Sequence, residues 1–507
     1  MPESTSESGR TDYPGANDDR FHRLGRAASV ALALAGTLAT ALFLRFLFAS
    51  EAGRRDFDTW STVLLYYITP AATATLCFLA LWFKPLNRLR LLLLLLSVTV
   101  SLYVLEFALI SGILPAGSSG QAVSPMNRLR ESRNKASYAA QLMREFGVPI
   151  DSRSPSEALR DFQAQDSSAV PIVGPKNHLF EGQADGGMRS AVAVDGREVV
   201  PLGAISQRST LLCNESGEWI SYLSDRRGFN NPDEVWDNPR IEIAALGDSF
   251  PHGYCVPGDR NFVALIRRQH PATLNLGMAG DGPLFMLATL TEVAAPRTPR
   301  VVLWFYYEGN DLVDLQVERK NAVLLRYLDP GFSQPVLEHQ HEIDQAILAQ
   351  VPRLEAVVRR EEEQLYRNRW VYGTLDAVKL SSLRLRLGLV QGTDSDQRRV
   401  AADFETDNMT VFRDIMRQAK AKVDGWQGAM YFVYLPEWAR YARYGSSGKD
   451  KRDAVLGIVR EAGIPIIDLD ERFRESDPLS LFPFRSVGHY NEAGHQAVAD
   501  VVLPEIR

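Results

Sequence analysis

Four short blocks in the second half of the chain set reactive side chains beside glycines. They are Gly247-Asp248-Ser249-Phe250, Asn275-Leu276-Gly277, Gly309-Asn310-Asp311 and, near the C-terminus, Gly488-His489-Tyr490-Asn491. Together they offer a hydroxyl, a glycine amide, a carboxamide and an imidazole. Serine-based acyl transfer needs a nucleophile, a base to take its proton, and donors for the oxyanion that forms. On this reading Ser249 is the nucleophile and His489 the base. The N–H groups of Ser249 and Gly277 and the Asn310 amide are the oxyanion donors, glycine at 277 allowing close backbone approach. Each block alone has a plainer reading. Ser249 and Asn310 suit helix N-caps, and a lone histidine suits a surface or a satisfied core position. The ordered set is harder to dismiss.

The elements that must position these residues follow from apolar patterning. Residues 241–246, 273–276, 301–307, 429–435 and 464–469 are short runs rich in β-branched and aromatic residues, separated by helical stretches. That alternation predicts a parallel sheet covered on both faces. The reactive blocks stand where such runs end, the place where open α/β sheets collect ligands. Residues 320–400 interrupt the rhythm and predict a charged helical insertion on the sheet, its charge mostly on a solvated face. Residues 115–240 predict a small-residue linker (115–125), an amphipathic helix over 128–146 and a small accessory region with short strands.

The GDSF, NLG, GND and GHYN blocks, in this order, resemble the SGNH (GDSL-type) hydrolase superfamily over about residues 241–507. The resemblance implies a flavodoxin-like three-layer α/β/α domain with Ser249, Gly277, Asn310 and His489 in the roles given above. Among the members it suggests are membrane-tethered, envelope-associated esterases and transferases of polysaccharide O-acetyl groups. Asn214–Gly217 and Asp225–Pro232 also resemble segments that precede the GDSF strand in envelope-associated members. One position departs from the pattern. The family usually carries Asp three residues before the histidine, and this chain has Ser486. An orienting carboxylate fixes the imidazole tautomer, and its loss in such triads costs about 10⁴ in rate. Three readings stay open: Asp477 or another acid folds back onto the ring, a backbone carbonyl near 485–488 takes that place, or the enzyme is weak or dead.

His252, three residues after Ser249, is too close along a turn to be the base and is expected at the rim, touching substrate. His495 follows His489 by six residues, but no Cys or carboxylate pattern of zinc-site spacing accompanies it. No metal and no cofactor are expected. Of the three cysteines, Cys77 falls in an apolar run. Cys213 and Cys255 are candidates for a disulfide that pins the accessory region to the rim of the site, with two separate thiols as the alternative. Trp304, Tyr306, Tyr307 and Trp438 suit sugar stacking or, more simply, the core.

The 507 residues carry 56 Lys+Arg against 62 Asp+Glu, and this balance removes nucleic acid as an expected partner. Before residue 115 the texture is apolar: runs 27–48, 62–83 and 89–114 each reach the roughly 20 residues that cross a bilayer. Arg20, Arg23 and Arg26 precede the first run, and Lys84, Arg88 and Arg90 fill the second loop. The first loop balances Arg54 and Arg55 with three acids. The positive-inside rule then predicts a cytoplasmic tail over 1–26 and three inner-membrane spans within 27–114. Everything from about 117 lies on the periplasmic or outer side. Within the spans, Arg45 and Glu106 sit at similar depth, so they either pair or are accommodated separately.

The functional expectation is a membrane-anchored serine esterase or O-acyltransferase acting on esters of cell-envelope or exported polysaccharide. Its partners would be the acylated glycan, the bilayer and polysaccharide assembly proteins. The alternatives are a lipid esterase and a non-catalytic binding module of an envelope polysaccharide complex.

Overall fold

The structure is a computed structural model describing residues 15–48, 64–110, 124–131, 135–378, 380, 383, 401–442 and 449–506. The chain divides into two compact units, one of Met1–Ala116 with Thr374–Val390, the other of Gly117–Gly373 with Gln391–Arg507.

The first unit contains α1 (Gly15–Phe48), α2 (Thr69–Ala80, entered through a π-helical turn at Leu64–Ile68) and α3 (Pro85–Ile110). Small residues let α1 and α2 approach. A methyl group at Gly36 would stand 3.2 Å from the Cys77 Cβ, and Leu32, Cys77 and Ala80 are buried together. The outward faces stay apolar, with Leu34 at 67% and Phe107 at 66% exposure. His22–Leu44 and Pro85–Leu109 are long and apolar enough to cross a membrane. The middle run is shorter than expected. Its helix ends at Ala80, ahead of Lys84-Pro85, and the described stretch 64–80, π-helical turn included, spans about 25 Å against a core of about 30 Å.

Glu106 is buried and accepts the Leu383 N–H at 2.7 Å, and the Tyr103 hydroxyl donates to the Val378 carbonyl at 2.9 Å. The end of the expected insertion therefore belongs with the apolar helices, not on a solvated face of the sheet. Its sequence explains this, since Val378, Leu380, Leu383, Leu385, Leu387, Leu389 and Val390 make it strongly apolar. The Arg45 side chain, the first loop and the linker through residue 123 lie outside the described residues.

In the second unit the expected helix over 128–146 is two pieces, α4 (Pro125–Glu131) and α5 (Lys135–Phe146), with residues 132–134 outside the description. α6 (Pro155–Gln165) starts at a capping box between Ser154 and Glu157. The accessory region holds a small sheet of β1 (Val170–Pro171), β2 (Ser209–Cys213) and β3 (Ile220–Leu223), in that order, and the short helix α7 (Pro175–Leu179).

The main sheet has five strands: β4 (Ile243–Gly247), β5 (Thr273–Gly277), β6 (Val301–Tyr307), β7 (Ala429–Leu435) and β8 (Ile466–Asp468). All pairs are parallel and the order is β8-β7-β6-β4-β5, the 2-1-3-4-5 order of doubly wound flavodoxin-like sheets. Alternate residues feed two cores. Leu246, Trp304 and Phe432 face one layer of helices, which includes Leu284 and Leu287 of α8 (Pro283–Thr289) and Phe412 and Met416 of α9 (Ala401–Gly425). Ala245, Phe305 and Val433 face the other, which includes Val498 and Val502 of α10 (Glu492–Glu505). The strand order reverses between β4 and β6, where a crevice opens at the C-terminal ends. Leu246 pairs with Trp304, and Gly247 with Gly277, so β4 and β5 end level there and β6 runs two residues further, to Tyr307.

Candidate active site

Ser249 follows β4 at the start of a single helical turn, Ser249–His252, whose N-cap Asp248 accepts the Phe250 N–H at 3.0 Å. Its Oγ stands 2.8 Å from His489 Nε2. His489 precedes α10 on a loop that is fixed by the Ser486 hydroxyl on the Pro483 carbonyl and by Asn491 capping α10. Phe250 and Tyr254 flank the imidazole, with ring centroids 5.0 and 4.7 Å away.

The group behind the ring is Glu215. One carboxylate oxygen lies 3.0 Å from His489 Nδ1, and the other accepts the His489 backbone N–H at 2.9 Å. This two-point grip places the imidazole proton on Nδ1 and leaves Nε2 to accept one from Ser249. Burial alone would discharge both partners. Their mutual attraction and hydrogen bonding outweigh it, holding Glu215 below the usual carboxylate range and His489 above the usual imidazole value. Glu215 sits in the tight turn between β2 and β3. There Gly217 N–H donates to Asn214 Oδ1 at 3.0 Å and Asn214 Nδ2 to the Asp151 carbonyl at 3.0 Å. Gly217 has φ +101°, and a Cβ there would meet the Pro149 carbonyl at 2.7 Å, so only glycine fits.

Asp477 does not orient the histidine. Its carboxylate is half exposed and pairs with the Arg485 guanidinium, a strong local partner that keeps it away from the ring. The accessory region brings Glu215 to the ring instead, tied to the Ser249 side by the Cys213–Cys255 disulfide. Cys213 lies two residues before Glu215, and Cys255 adjoins Tyr254. The Cys255 Sγ also lies within 4.8 Å of the nearest ligand atoms of Glu215 and His489. That sulfur is bonded to Cys213, while Glu215 and His489 hold each other.

The groups expected as oxyanion donors differ in whether they are already engaged. Gly277 N–H donates to Asn275 Oδ1 at 3.1 Å, so this amide is already engaged. The N–H groups of Ser249 and of Gly280, the latter at φ +92°, have no hydrogen-bond partner among the described residues. The Asn310 side chain caps no helix, and its Oδ1 is buried without a partner among the described residues.

Beneath these loops lies a group of buried acids: Asp248, Asp281, Asp311, Asp314 and Glu318. Burial raises all five, Asp248 to about 6 and Glu318 to about 7. Lys176 of α7, its side chain 4% exposed, enters among them and pairs with Asp314. Glu318 accepts the N–H groups of Gly282 and Leu284, fixing the turn after β5.

His252 is not at the rim. It is fully buried, its Nδ1 accepts the Ala279 N–H at 3.2 Å, and burial depresses it to about 3. The reason is packing: its ring meets Tyr222 of β3 edge-on. His495 is likewise buried, accepting the Phe262 N–H at 3.2 Å. Trp304, Tyr306 and Trp438 belong to the core, and Tyr307 stacks on Phe250 at 4.1 Å. The 225–232 segment is structural as well. Asp225 accepts from Trp236, Asn231, Arg227 and Phe229, and Asn231 brackets Asn275 of β5.

No protein-family model matches the chain, and no curated protein does. Among solved structures, the chain is similar to a two-domain esterase (CEX) active on acetylated mannans, with 12% identity and a TM-score of 0.28 over 54% of this chain and 52% of that one. It thus spans about half the length of that protein. A lipase/acylhydrolase from Enterococcus faecalis is similar at 13% identity and TM-score 0.27, over 52% of this chain and 95% of that one. An acetyl xylan esterase from Geobacillus stearothermophilus is similar at 13% identity and TM-score 0.26, over 53% and 96%.

Proposed function

We propose that the chain is a membrane-anchored serine esterase or O-acyltransferase that works through an acyl-enzyme on Ser249, on esters of an exported or envelope polysaccharide. The observation that carries this reading is the unbroken relay from Ser249 Oγ to His489 Nε2, and from His489 Nδ1 to Glu215. Ser249 Oγ attacks the ester carbonyl carbon while its proton passes to Nε2. The tetrahedral oxyanion is held by the Ser249 N–H, the Asn310 carboxamide and the Gly280 N–H, which takes the part first given to Gly277. Each such donor contributes about 3–4 kcal/mol. His489 then protonates the leaving alcohol as the carbon–oxygen bond breaks. Water or a sugar hydroxyl attacks the acyl-enzyme, gives its proton to Nε2, and Ser249 recovers its own.

A non-catalytic module had its best support in the acid missing before His489, and Glu215 on the ring favours the enzyme. The two long apolar helices support anchoring. The Cys213–Cys255 disulfide supports an oxidising compartment for the domain that carries the site. The glycan assignment rests on the family resemblance of the sequence blocks.

The test is covalent labelling by a fluorophosphonate together with turnover of an activated acetyl ester. Both should occur in the wild type and vanish in Ser249→Ala with the fold intact. Absence of both in a folded, disulfide-bonded wild type overturns the proposal.

A further inference from the structure

Cations around this site mostly have partners: Lys176 on Asp314, Arg440 on Glu308, Arg485 on Asp477, and Arg153 on Asp151 and Asp161. Arg130 differs. It is half-buried, yet among the described residues it has no hydrogen bond or ion pair. Its helix α4 is held against the site by Met126 and Leu129, which share a small core with Phe484, five residues before His489. The guanidinium lies 5.9 Å from the centre of the Trp219 ring, and Trp219 follows Glu215 by four residues on the same hairpin. Its charge reaches both Glu215 and Tyr254, two of the residues that touch the imidazole.

A guanidinium has five donors and no acceptor, and its flat fork matches a carboxylate or a phosphate. Drawing one partly out of water with its donors unengaged is unfavourable unless something later engages them. Glu215 does not do so, since both its oxygens are turned to His489. We propose that Arg130 pairs with an anionic substituent, a carboxylate or phosphate, on the sugar that carries the ester, so that the site selects acidic over neutral acylated glycans. This rests on the acyl-transfer reading for the word ester, but the recognition itself can be measured without turnover.

The experiment uses the full chain in detergent with Ser249→Ala as background, and reads binding of oligogalacturonate against neutral xylo-oligosaccharide by calorimetry. The acidic oligomer should bind at least about tenfold more tightly, and added Arg130→Gln should remove most of that difference. Arg130→Lys, which keeps charge without the fork, should fall between. A sugar-phosphate oligomer in a parallel arm tells phosphate from carboxylate. On the Ser249 enzyme, Arg130→Gln should raise KM for acetylated polygalacturonate well beyond any change for acetylated xylan. Equal binding of acidic and neutral oligomers overturns the proposal. So does an Arg130→Gln effect confined to kcat and pH profile and equal on all substrates, since that would make Arg130 only an electrostatic support for Glu215. Binding that depends on Arg130 without any ester turnover would keep this inference and remove the enzymatic one.

Discussion

His489 Nδ1 lies 3.0 Å from a carboxylate oxygen of Glu215, a residue 274 positions earlier in the chain and on a different sheet from the nucleophile. The acid of the relay therefore reaches the site through tertiary packing of the accessory hairpin, while the family pattern would bring it in beside the histidine.

Glu215→Gln should lower kcat on an activated acetyl ester by about 10³–10⁴, because the ring loses the charge that holds its proton on Nδ1. Asp477→Asn should change kcat less than about threefold, since its partner is an exposed arginine and such pairs contribute little. Steady-state kinetics on the two purified variants decide the matter. Comparable losses in both would return the orienting role to Asp477.

The pH profile should carry the same signature. Only neutral His489 can accept the Ser249 proton, and the Glu215 charge favours the imidazolium. The acid limb of kcat/KM in the wild type should then fall at a pH above the ordinary imidazole value of about 6.5. In Glu215→Gln the attraction is lost while the burial remains, so the residual activity should have its acid limb at lower pH. A shift toward higher pH would contradict the assignment.

Much of this was legible from residue types and spacing. Val301–Tyr307 and Ala429–Leu435 form strands over the full expected runs, because a short β-branched and aromatic stretch buried on both faces has few other uses. Ser249 and His489 meet as their blocks imply. Glu215 stayed hidden as the partner of His489 because the resemblance of the 214–217 segment marks it without showing that its acid, rather than one at the surface, reaches the ring. The available signal was indirect: pairing Cys213 with Cys255 brings residue 215 near the segment six residues past the nucleophile. Gly277 misled for another reason. Strand pattern places the glycine correctly at the end of β5, but only the folded chain shows the Asn275 side chain already accepting from its N–H.

The disulfide should act on both stability and rate. It closes a loop of 42 residues, and constraining such a loop in the unfolded chain contributes about 4 kcal/mol in the chain-entropy picture. Because Cys213 lies two residues from Glu215, a loosened hairpin also misplaces the acid. Cys213→Ser with Cys255→Ser should lower the unfolding midpoint and cut kcat by at least about tenfold at temperatures where the protein stays folded. Dithiothreitol should do the same to the wild type and nothing further to the double variant. Full activity in the folded double variant would show that the hairpin holds Glu215 unaided.

Lys176→Met tests the charge balance under the site. Lys176 is the cation paired with Asp314, and its charge also favours ionised Asp281 and Glu318. Asp281 Oδ1, Asp311 Oδ1 and Asp314 Oδ2 are buried without hydrogen-bond partners among the described residues, so the cation has few substitutes. Removing one member of a buried ion pair typically costs about 3–5 kcal/mol, because the other charge is left without compensation. The pH dependence follows from sign. Burial lifts these carboxyls above their unfolded values, so the folded chain binds more protons than the unfolded one. Their contribution to stability is therefore lost as pH climbs from about 4 through the raised values, about 7 for Glu318. Without Lys176 those values rise further, so the variant should be closest to wild type near pH 5 and fall furthest behind at pH 8 in chemical denaturation. Adding Asp314→Leu should recover part of the loss, since an apolar pair replaces the orphaned charge. A variant whose midpoint matches wild type at pH 8 would show that the acids stay protonated there without help from the lysine.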